Sequence, residues 1–399
     1  MRQRIVVLGG GTGGTMLANS LDHRRFETTL VTASTTHLFQ PGLLYVAFKN
    51  AGTPLVRDER GLLARHVHLV HDTVTSVDLT HQLVETAGGS RLVYDRLVVA
   101  TGIQAAPSGI PGLADVVGRV GDYHSTVSQA RLLWQSLDRF RGGTIALGQT
   151  TPICKCPPSP IEGILLADEL LRQRGLRERS RLVFFTPYPR PYPAEPMNRV
   201  VEPILKERGI EVATFFDVDR IDPESFTLTS IEGEVIECDL PILVPPFTGA
   251  PIAYEPAGVL DESGFVRTDP RTLRVQGTET AFAIGDATSL PTSKSGVGAH
   301  LEAQVVARTL RGRPATFAGR THCPLDLARG QGTFVTGTYD APVVPSPPSR
   351  LKHVMKATFA RLYWLSLRGT LDPALDLYFR LTDPARPRRR RLRGPHPGT

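Results

Sequence analysis

Two of the four cysteines in this chain stand among neighbours that suit redox chemistry. Cys156 lies in Lys155-Cys156-Pro157-Pro158-Ser159-Pro160-Ile161-Glu162, beside a lysine and just ahead of a helical pattern, two features that favour the thiolate. Cys323, in Arg320-Thr321-His322-Cys323-Pro324-Leu325-Asp326, has a histidine and an arginine close by. Both are therefore candidate nucleophiles or redox partners. Cys238, in Val235-Ile236-Glu237-Cys238-Asp239-Leu240, reads as a packed strand residue. Cys154-Lys155-Cys156 offers only two ligands and no second pair follows, so no metal site is expected, and there is no C-x-x-C-H for haem. A Cys154–Cys156 pairing stays open at this point.

The elements that would serve such thiols are two glycine segments far apart in sequence. Gly9-Gly10-Gly11-Thr12-Gly13-Gly14 follows the apolar run Ile5-Val6-Val7-Leu8 and precedes Met16-Leu17-Ala18, giving strand, tight turn and helix. Gly9, Gly11 and Gly14 fit the G-x-G-x-x-G spacing: one permits the turn, one lets pyrophosphate approach the backbone, one allows close packing of the helix. The phosphates would sit at a helix N-terminus, where free N–H groups and the helix dipole favour anions. Thr280-Ala281-Phe282-Ala283-Ile284-Gly285-Asp286 is an apolar strand ending in Gly-Asp. Together the two read as a site for FAD. The strand Thr29-Leu30-Val31-Thr32-Ala33-Ser34 closes on Thr32 or Ser34 where an acid would ordinarily hold the adenosine ribose, so that contact must be weaker or come from elsewhere.

Around these segments the chain divides into an α/β pattern of two Rossmann-like, three-layer dinucleotide-binding domains, the second inserted in the first. Residues 1–120 and 270–345 form the expected FAD-binding domain, 121–269 the insert, 346–383 a C-terminal membrane-contact region and 384–399 a basic tail. The first domain continues through Arg91 to Gly102, whose end Ala100-Thr101-Gly102 reads as a strand end near the cofactor. The insert opens at Thr144-Ile145-Ala146-Leu147-Gly148, with a helical pattern from Ile161 to Arg174 and strands at Leu182–Phe185, Glu211–Phe216 and Pro241–Val244. Its first turn, Gly148-Gln149-Thr150-Thr151-Pro152-Ile153-Cys154, keeps only one glycine, and Pro152 removes an N–H, which argues against a working nicotinamide site.

At 399 residues, 41% hydrophobic and 21% charged, the composition is globular and excludes a disordered protein. The net charge of +7 is concentrated in Arg386, Arg388, Arg389, Arg390, Arg391 and Arg393, and the rest carries +1. The body is near neutral; the tail is a basic arm that could touch anionic lipid, and nucleic acid is not expected as a partner. The N-terminus enters a strand without an apolar h-region, so a cytoplasmic location is expected, and no apolar stretch of about 18 residues suggests a spanning helix.

The chain resembles the sulfide:quinone oxidoreductases, a branch of the FAD-dependent pyridine nucleotide-disulfide oxidoreductase superfamily, over nearly its whole length. The resemblance rests on Gly9 to Gly14, His37-Leu38-Phe39-Gln40-Pro41-Gly42-Leu43, Cys156 with Glu162 six residues later, Ala100-Thr101-Gly102, Gly285-Asp286, Pro291-Thr292-Ser293-Lys294-Ser295-Gly296, and Cys323. It implies that Cys156 and Cys323 flank the flavin and carry sulfur between them, with Glu162 as proton acceptor. It implies that Gly9, Gly11, Thr12, Gly14, Thr32, Ala100, Thr101, Gly102, Gly285, Asp286, Lys294 and Gly296 bind FAD, with Asp286 on the ribityl chain. Lys294 and the helix following it would face the reduced ring. Many members carry a further cysteine before the second domain; Asp122-Tyr123-His124-Ser125-Thr126 has none, so FAD is expected to be held noncovalently.

That function demands sulfide, membrane quinone and a peripheral contact with the cytoplasmic side of the cell membrane, and admits a homo-oligomer. Leu351, Val354, Met355, Phe359, Leu362 and Tyr363 recur at three- and four-residue steps, with Lys352, His353, Lys356 and Arg361 on other sides, as in a basic amphipathic helix lying in an interface. Trp364, Leu365 and Leu367 extend it, and Phe334, Phe359 and Tyr363 are candidates to line the quinone mouth. Three rivals share the fold: a type 2 NADH:quinone dehydrogenase, which needs a glycine-rich second loop, the flavin subunit of an exported sulfide dehydrogenase, and a flavin-binding regulatory protein without turnover.

Overall fold

The computed structural model describes residues 1–52 and 55–382, and the basic tail lies outside the described residues. The apolar run after Gln3 becomes a fully buried strand from Ile5 to Leu8, as expected where helices cover both faces of a parallel sheet. That strand, Gln3–Leu8, is central in a five-stranded sheet ordered Ala281–Ala283, Arg96–Val99, Gln3–Leu8, Phe26–Thr32, His68–His71, with parallel pairing throughout. The helix Thr12–Ser20 packs on the sheet and against the helix Gly296–Leu310. The two signatures are thereby brought to one end of one sheet.

A second parallel sheet, ordered Glu211–Ala213, Ser180–Phe185, Gly143–Gln149, Leu240–Val244, carries the helices Val127–Arg139 and Ser159–Gln173. An antiparallel sheet of Thr321–Asp326, Gly332–Thr338 and Ala341–Pro345 follows, and the helix Arg350–Ser366 packs over it. A further helix covers Asp372–Thr382.

Between Arg91 and Gly102 the chain changes sheets: Arg91–Val93 belongs to an antiparallel sheet with Leu83–Thr86, whereas Arg96–Val99 joins the central parallel sheet. The break is fixed by Tyr94, fully buried, and by Asp95, whose carboxylate accepts from the Arg4 N–H and guanidinium. The strand read as Glu211–Phe216 stops at Ala213, because Phe215 has a left-handed backbone (φ 56°) and its N–H turns to the Tyr188 carbonyl.

Candidate active site

The glycine turn has the shape a dinucleotide phosphate requires. A Cβ on Gly9 (φ 104°) would stand 2.3 Å from the Ala100 oxygen, and one on Gly14 would stand 2.0 Å from the Gly9 oxygen, so only glycine lets the Ala100-Thr101 segment and the helix close on the turn. Gly11 faces open space, and the helix it precedes has no side-chain cap, leaving the amides of the first turn free for an anion. These residues fit FAD. Thr32 is where the ribose acid is missing, and a carboxylate from another element stands near the turn beside it: the Thr32 Oγ1 and the Glu59 Cδ are each 3.1 Å from the place a Cβ on Gly10 would take.

The second signature is held from below. Gly285 opens the short turn Gly285–Ala287, and its N–H donates to Glu302 Oε2 at 2.6 Å. Burial pushes the Glu302 carboxyl up to about 8, against the pull of that hydrogen bond. Asp286 is likewise raised by burial, with Lys155 and Lys294 opposing. Lys294 is no surface lysine: its Nζ donates to the carbonyls of Asp286 (2.9 Å) and Thr288 (2.8 Å) and lies 3.7 Å from the centre of the Phe265 ring. Ser295 Oγ accepts the Gly298 N–H and caps the helix Gly296–Leu310, and a Cβ on Gly296 would lie 3.6 Å from Thr12 Oγ1. Thr12 and Gly296 thus join the two signatures.

Cys156 and Cys323 both flank the Ser293-Lys294 segment beside this join. The Cys156 N–H donates to the Lys294 carbonyl at 2.9 Å, and Cys156 sits in a left-handed backbone conformation (φ 59°), a cost of order 1–3 kcal/mol that places it just ahead of the helix Ser159–Gln173. Cys323 is buried on the strand Thr321–Asp326, with Ser293 Oγ 3.5 Å from its sulfur. All four cysteines are free thiols. Burial first, then the neighbouring Cys323 and Glu162, push the Cys156 thiol well above its usual range, and Cys154 acts on it less than Cys323 does. Burial also raises Cys323, against hydrogen bonds from Ser293 and Ser295.

The helpers expected from sequence are therefore replaced. Lys155 is itself lowered by burial and has Asp286 as its strongest charge partner. His322 and Cys323 are successive strand residues and point to opposite faces; His322 stacks on Phe334 at 5.1 Å. The cation that favours both thiolates is Lys356, which no local motif announced. Its Nζ donates to Glu162 Oε1, and it arrives from the C-terminal helix. Burial alone would lower the Lys356 ammonium; Glu162, with Tyr45 and Asp326 behind it, overrides this and holds it protonated. Glu162, 3% exposed, is raised by burial against Lys356, which makes it a better proton acceptor than an ordinary carboxylate. Asp326, fully buried, receives the Tyr45 hydroxyl at 3.2 Å and closes the cluster.

Cys154 and Cys238 are buried and engaged with nearby backbone. The Cys154 thiol donates to the Lys155 carbonyl and the Cys238 thiol to the Phe226 carbonyl, each at 3.3 Å, and burial pushes each up to about 12. Among the described residues no group of three or more histidine, cysteine or acidic side chains is arranged to hold a metal.

The second turn has spent its polar groups on itself. The Thr150 N–H and hydroxyl both donate to the Val244 carbonyl, Gln149 Nε2 donates to the Thr151 carbonyl, and a Cβ on Gly148 would meet the Phe185 oxygen at 2.1 Å. The helix starts only at Ser159, beyond the cysteine loop, so its N-terminal amides are not presented at the strand end.

The paired glycine signatures at one sheet end are those of a family. The model for pyridine nucleotide-disulphide oxidoreductases matches residues 3–307. The chain belongs to that family. It is an FAD-dependent oxidoreductase. It is 27% identical over 391 residues to the mitochondrial sulfide:quinone oxidoreductase of Mus musculus, covering 92% of this chain and 86% of that protein. It is 26% identical over 339 residues to the Dictyostelium discoideum counterpart, covering 81% and 75%. The crystal structure of the sulfide:quinone oxidoreductase of Aquifex aeolicus superposes with a TM-score of 0.82 at 20% identity over 95% of both chains, a likeness of fold. NDH2 of Plasmodium falciparum, in complex with NADH, reaches 0.69 at 12% identity over 93% of this chain and 98% of that one.

The C-terminal helix is rotated from the sequence reading. Tyr363, Trp364 and Leu367 face inward and are buried, as is the Lys356 ammonium, while Leu351, Val354, Leu362 and Leu365 remain exposed. Tyr363 does not open onto a quinone mouth: its hydroxyl contacts Thr12 Oγ1 at 2.7 Å and His37 Nε2 at 2.6 Å. Phe334 is 1% exposed beneath His322 and Tyr378, which leaves Phe359, half-buried, as the candidate at the surface.

Proposed function

We propose that this chain oxidises sulfide to polysulfide through a Cys156/Cys323 pair and passes the electrons to quinone. The observation that carries the reading is the gathering of half-buried Cys156, buried Cys323 and buried Glu162 around one cation, Lys356, beside the join of the two flavin signatures. The curated relatives named above, sulfide:quinone oxidoreductases in Mus musculus and Dictyostelium discoideum, support it.

In the oxidised state the two cysteines share a sulfur–sulfur bond. Hydrosulfide attacks one sulfur; that bond breaks, leaving a persulfide on one cysteine and a thiolate on the other. Glu162 takes the persulfide proton, and Lys356 offsets the two negative sulfurs in a site where burial would otherwise reprotonate them. Bound FAD supplies the two-electron acceptor. As those electrons leave, the two anionic sulfurs join, regenerating the bridge one sulfur longer. After later turns the freed cysteine thiolate attacks the sulfur of the cysteine that carries the chain; the Cys–Cys bond forms, the bond to the chain breaks and the chain leaves as polysulfide. FAD is held without a covalent tether, since Asp122 to Thr126 contains no cysteine and forms a turn in which Asp122 accepts the His124 and Ser125 N–H groups.

Quinone dissolves in lipid, and the exposed stripe of Leu351, Val354, Leu362 and Leu365 on one face of the helix Arg350–Ser366, with Leu377 on the next, is the surface we assign to the membrane. Contact is peripheral: among the described residues no helix is long and apolar enough to cross a membrane. The Leu362→Gln/Leu365→Gln protein is expected to lose most of its cosedimentation with anionic lipid vesicles while keeping its FAD; equal cosedimentation would remove this face from the membrane.

The function itself is tested by anaerobic titration of the flavin absorbance. Sulfide is expected to bleach it stoichiometrically and NADH to leave it oxidised over the same time. Bleaching by NADH alone would replace this reading with that of an NADH dehydrogenase, and a flavin indifferent to both would point to a protein without this turnover.

A further inference from the structure

A closed ring of buried hydrogen bonds ties the C-terminal helix to the dinucleotide turn, and the sulfur chemistry uses none of its members. Thr15 Oγ1 donates to Glu59 Oε1 at 2.6 Å; Glu59 Oε2 meets His37 Nδ1 at 3.0 Å; His37 Nε2 meets the Tyr363 hydroxyl at 2.6 Å; and that hydroxyl meets Thr12 Oγ1 at 2.7 Å. Thr15, Glu59, His37 and Tyr363 are each at most 5% exposed. Both ends of the ring lie in the first turn of the helix Thr12–Ser20, whose free amides face the phosphate position. The middle comes from the strand Thr36–Leu38, the short helix Glu59–Leu62 and the C-terminal helix Arg350–Ser366.

The proton inventory gives the ring a direction. A carboxylate only accepts, so in the tautomer of His37 that carries its one proton on Nδ1, Glu59 takes that proton and Nε2 is left as an acceptor. Tyr363 must then donate to Nε2, and its oxygen accepts the Thr12 hydroxyl proton. Thr12 is thereby committed to Tyr363, which fixes the first turn at both Thr12 and Thr15. Aromatic rings pack around it: Tyr363 packs on Phe39 at 4.6 Å, and the Arg57 guanidinium lies 4.6 Å from the Trp364 ring centre in a cation–π contact.

We infer that Tyr363 is a positioning residue for FAD, and that filling the dinucleotide turn and docking the C-terminal helix are energetically linked through the Tyr363–His37–Glu59 ring. A turn already ordered by the ring spares FAD the cost of ordering it; by reciprocity, FAD that holds the turn must tighten the helix. The inference rests on reading Gly9 to Gly14 as the FAD phosphate site. It makes the helix that carries the exposed apolar stripe responsive to the cofactor.

The test is hydrogen exchange of the full chain with and without FAD, together with FAD affinity from quenching of flavin fluorescence, in wild type, Tyr363→Phe and Thr12→Val. In wild type FAD should slow exchange both in residues 9–20 and in residues 350–366. In each variant the protection of 9–20 should persist, that of 350–366 should fall away, and FAD should bind about 5- to 10-fold more weakly, within the usual span of couplings between sites. Both substitutions remove the Tyr363–Thr12 bond, from opposite partners, and Tyr363→Phe removes the bond to His37 as well, so a variant that failed to fold would leave the other to decide. FAD-dependent protection of 350–366 that survives in a folded variant would overturn the linkage. FAD that protects 350–366 but not 9–20 in wild type would instead remove the phosphate-site reading, and the inference with it.

Discussion

Replacing Cys156 by serine is expected to leave FAD bound and to stop its reduction by sulfide, a loss on the order of 10³-fold or more in the anaerobic rate, as when a nucleophile is removed from a unit that acts together. Serine keeps the β-carbon and a similar volume, so the loop with its left-handed residue and its N–H bond to Lys294 persists. A hydroxyl can neither form the sulfur–sulfur bridge nor hold a persulfide. Cys323→Ser should match it. Cys154→Ser and Cys238→Ser should reduce at near the wild-type rate, because each thiol donates to a nearby carbonyl and Cys154 acts on Cys156 less than Cys323 does. Stopped-flow absorbance of the four variants decides the pairing: a Cys154 variant as slow as the Cys156 one, with Cys323→Ser active, would move the bridge to Cys154 and Cys156.

What the sequence disclosed was local. The glycine turn was readable because three positions within six residues each answer a steric demand, and the structure shows two of those demands as Cβ clashes at Gly9 and Gly14. Gly285-Asp286 was readable because an apolar strand must end somewhere, and here it ends in a turn. The contacts that set the chemistry were not local. Lys356 lies 194 residues from Glu162, and Glu59 reaches the neighbourhood of Thr32 from a separate short helix. Charge along a sequence also misjudged the thiols: a lysine next to Cys156 promised a thiolate, but its own charge turns to Asp286 and burial dominates. His322 was adjacent to Cys323 in sequence, and the alternation of a strand puts it on the other face.

The C-terminal helix shows the same limit in another form. Its periodicity revealed an apolar side, yet periodicity does not say which residues turn inward. Lys356 and Tyr363, seven residues apart, share one face by helical geometry. The sequence reading put Lys356 among the charges on other sides of the helix and Tyr363 on its apolar face, as a candidate to line the quinone mouth. The structure uses both as anchors, one to the thiol site and one to the dinucleotide turn, and leaves the leucines outside.

Lys356→Met should lower the rate of flavin reduction by sulfide on the order of 10²-fold near neutral pH, the scale of a mispositioned proton acceptor. Glu162 accepts a proton only when ionised, and burial already favours its protonated form. Lys356 opposes that; without it the Glu162 carboxyl titrates at higher pH, so the acid limb of the pH–rate profile moves upward and the rate recovers as pH is raised. The thiols of Cys156 and Cys323 lose the same cation and shift the same way. Removing one partner of a buried ion pair also costs roughly 3–5 kcal/mol of stability, so thermal unfolding must be followed alongside. Lys356→Met with Glu162→Gln separates the two effects: neutralising both partners should restore much of the stability and none of the rate, because the acceptor is gone. Lys356→Arg keeps the charge and should hold the acid limb near its wild-type position. An acid limb that stays in place in Lys356→Met would show that the lysine braces the helix without touching the Glu162 proton.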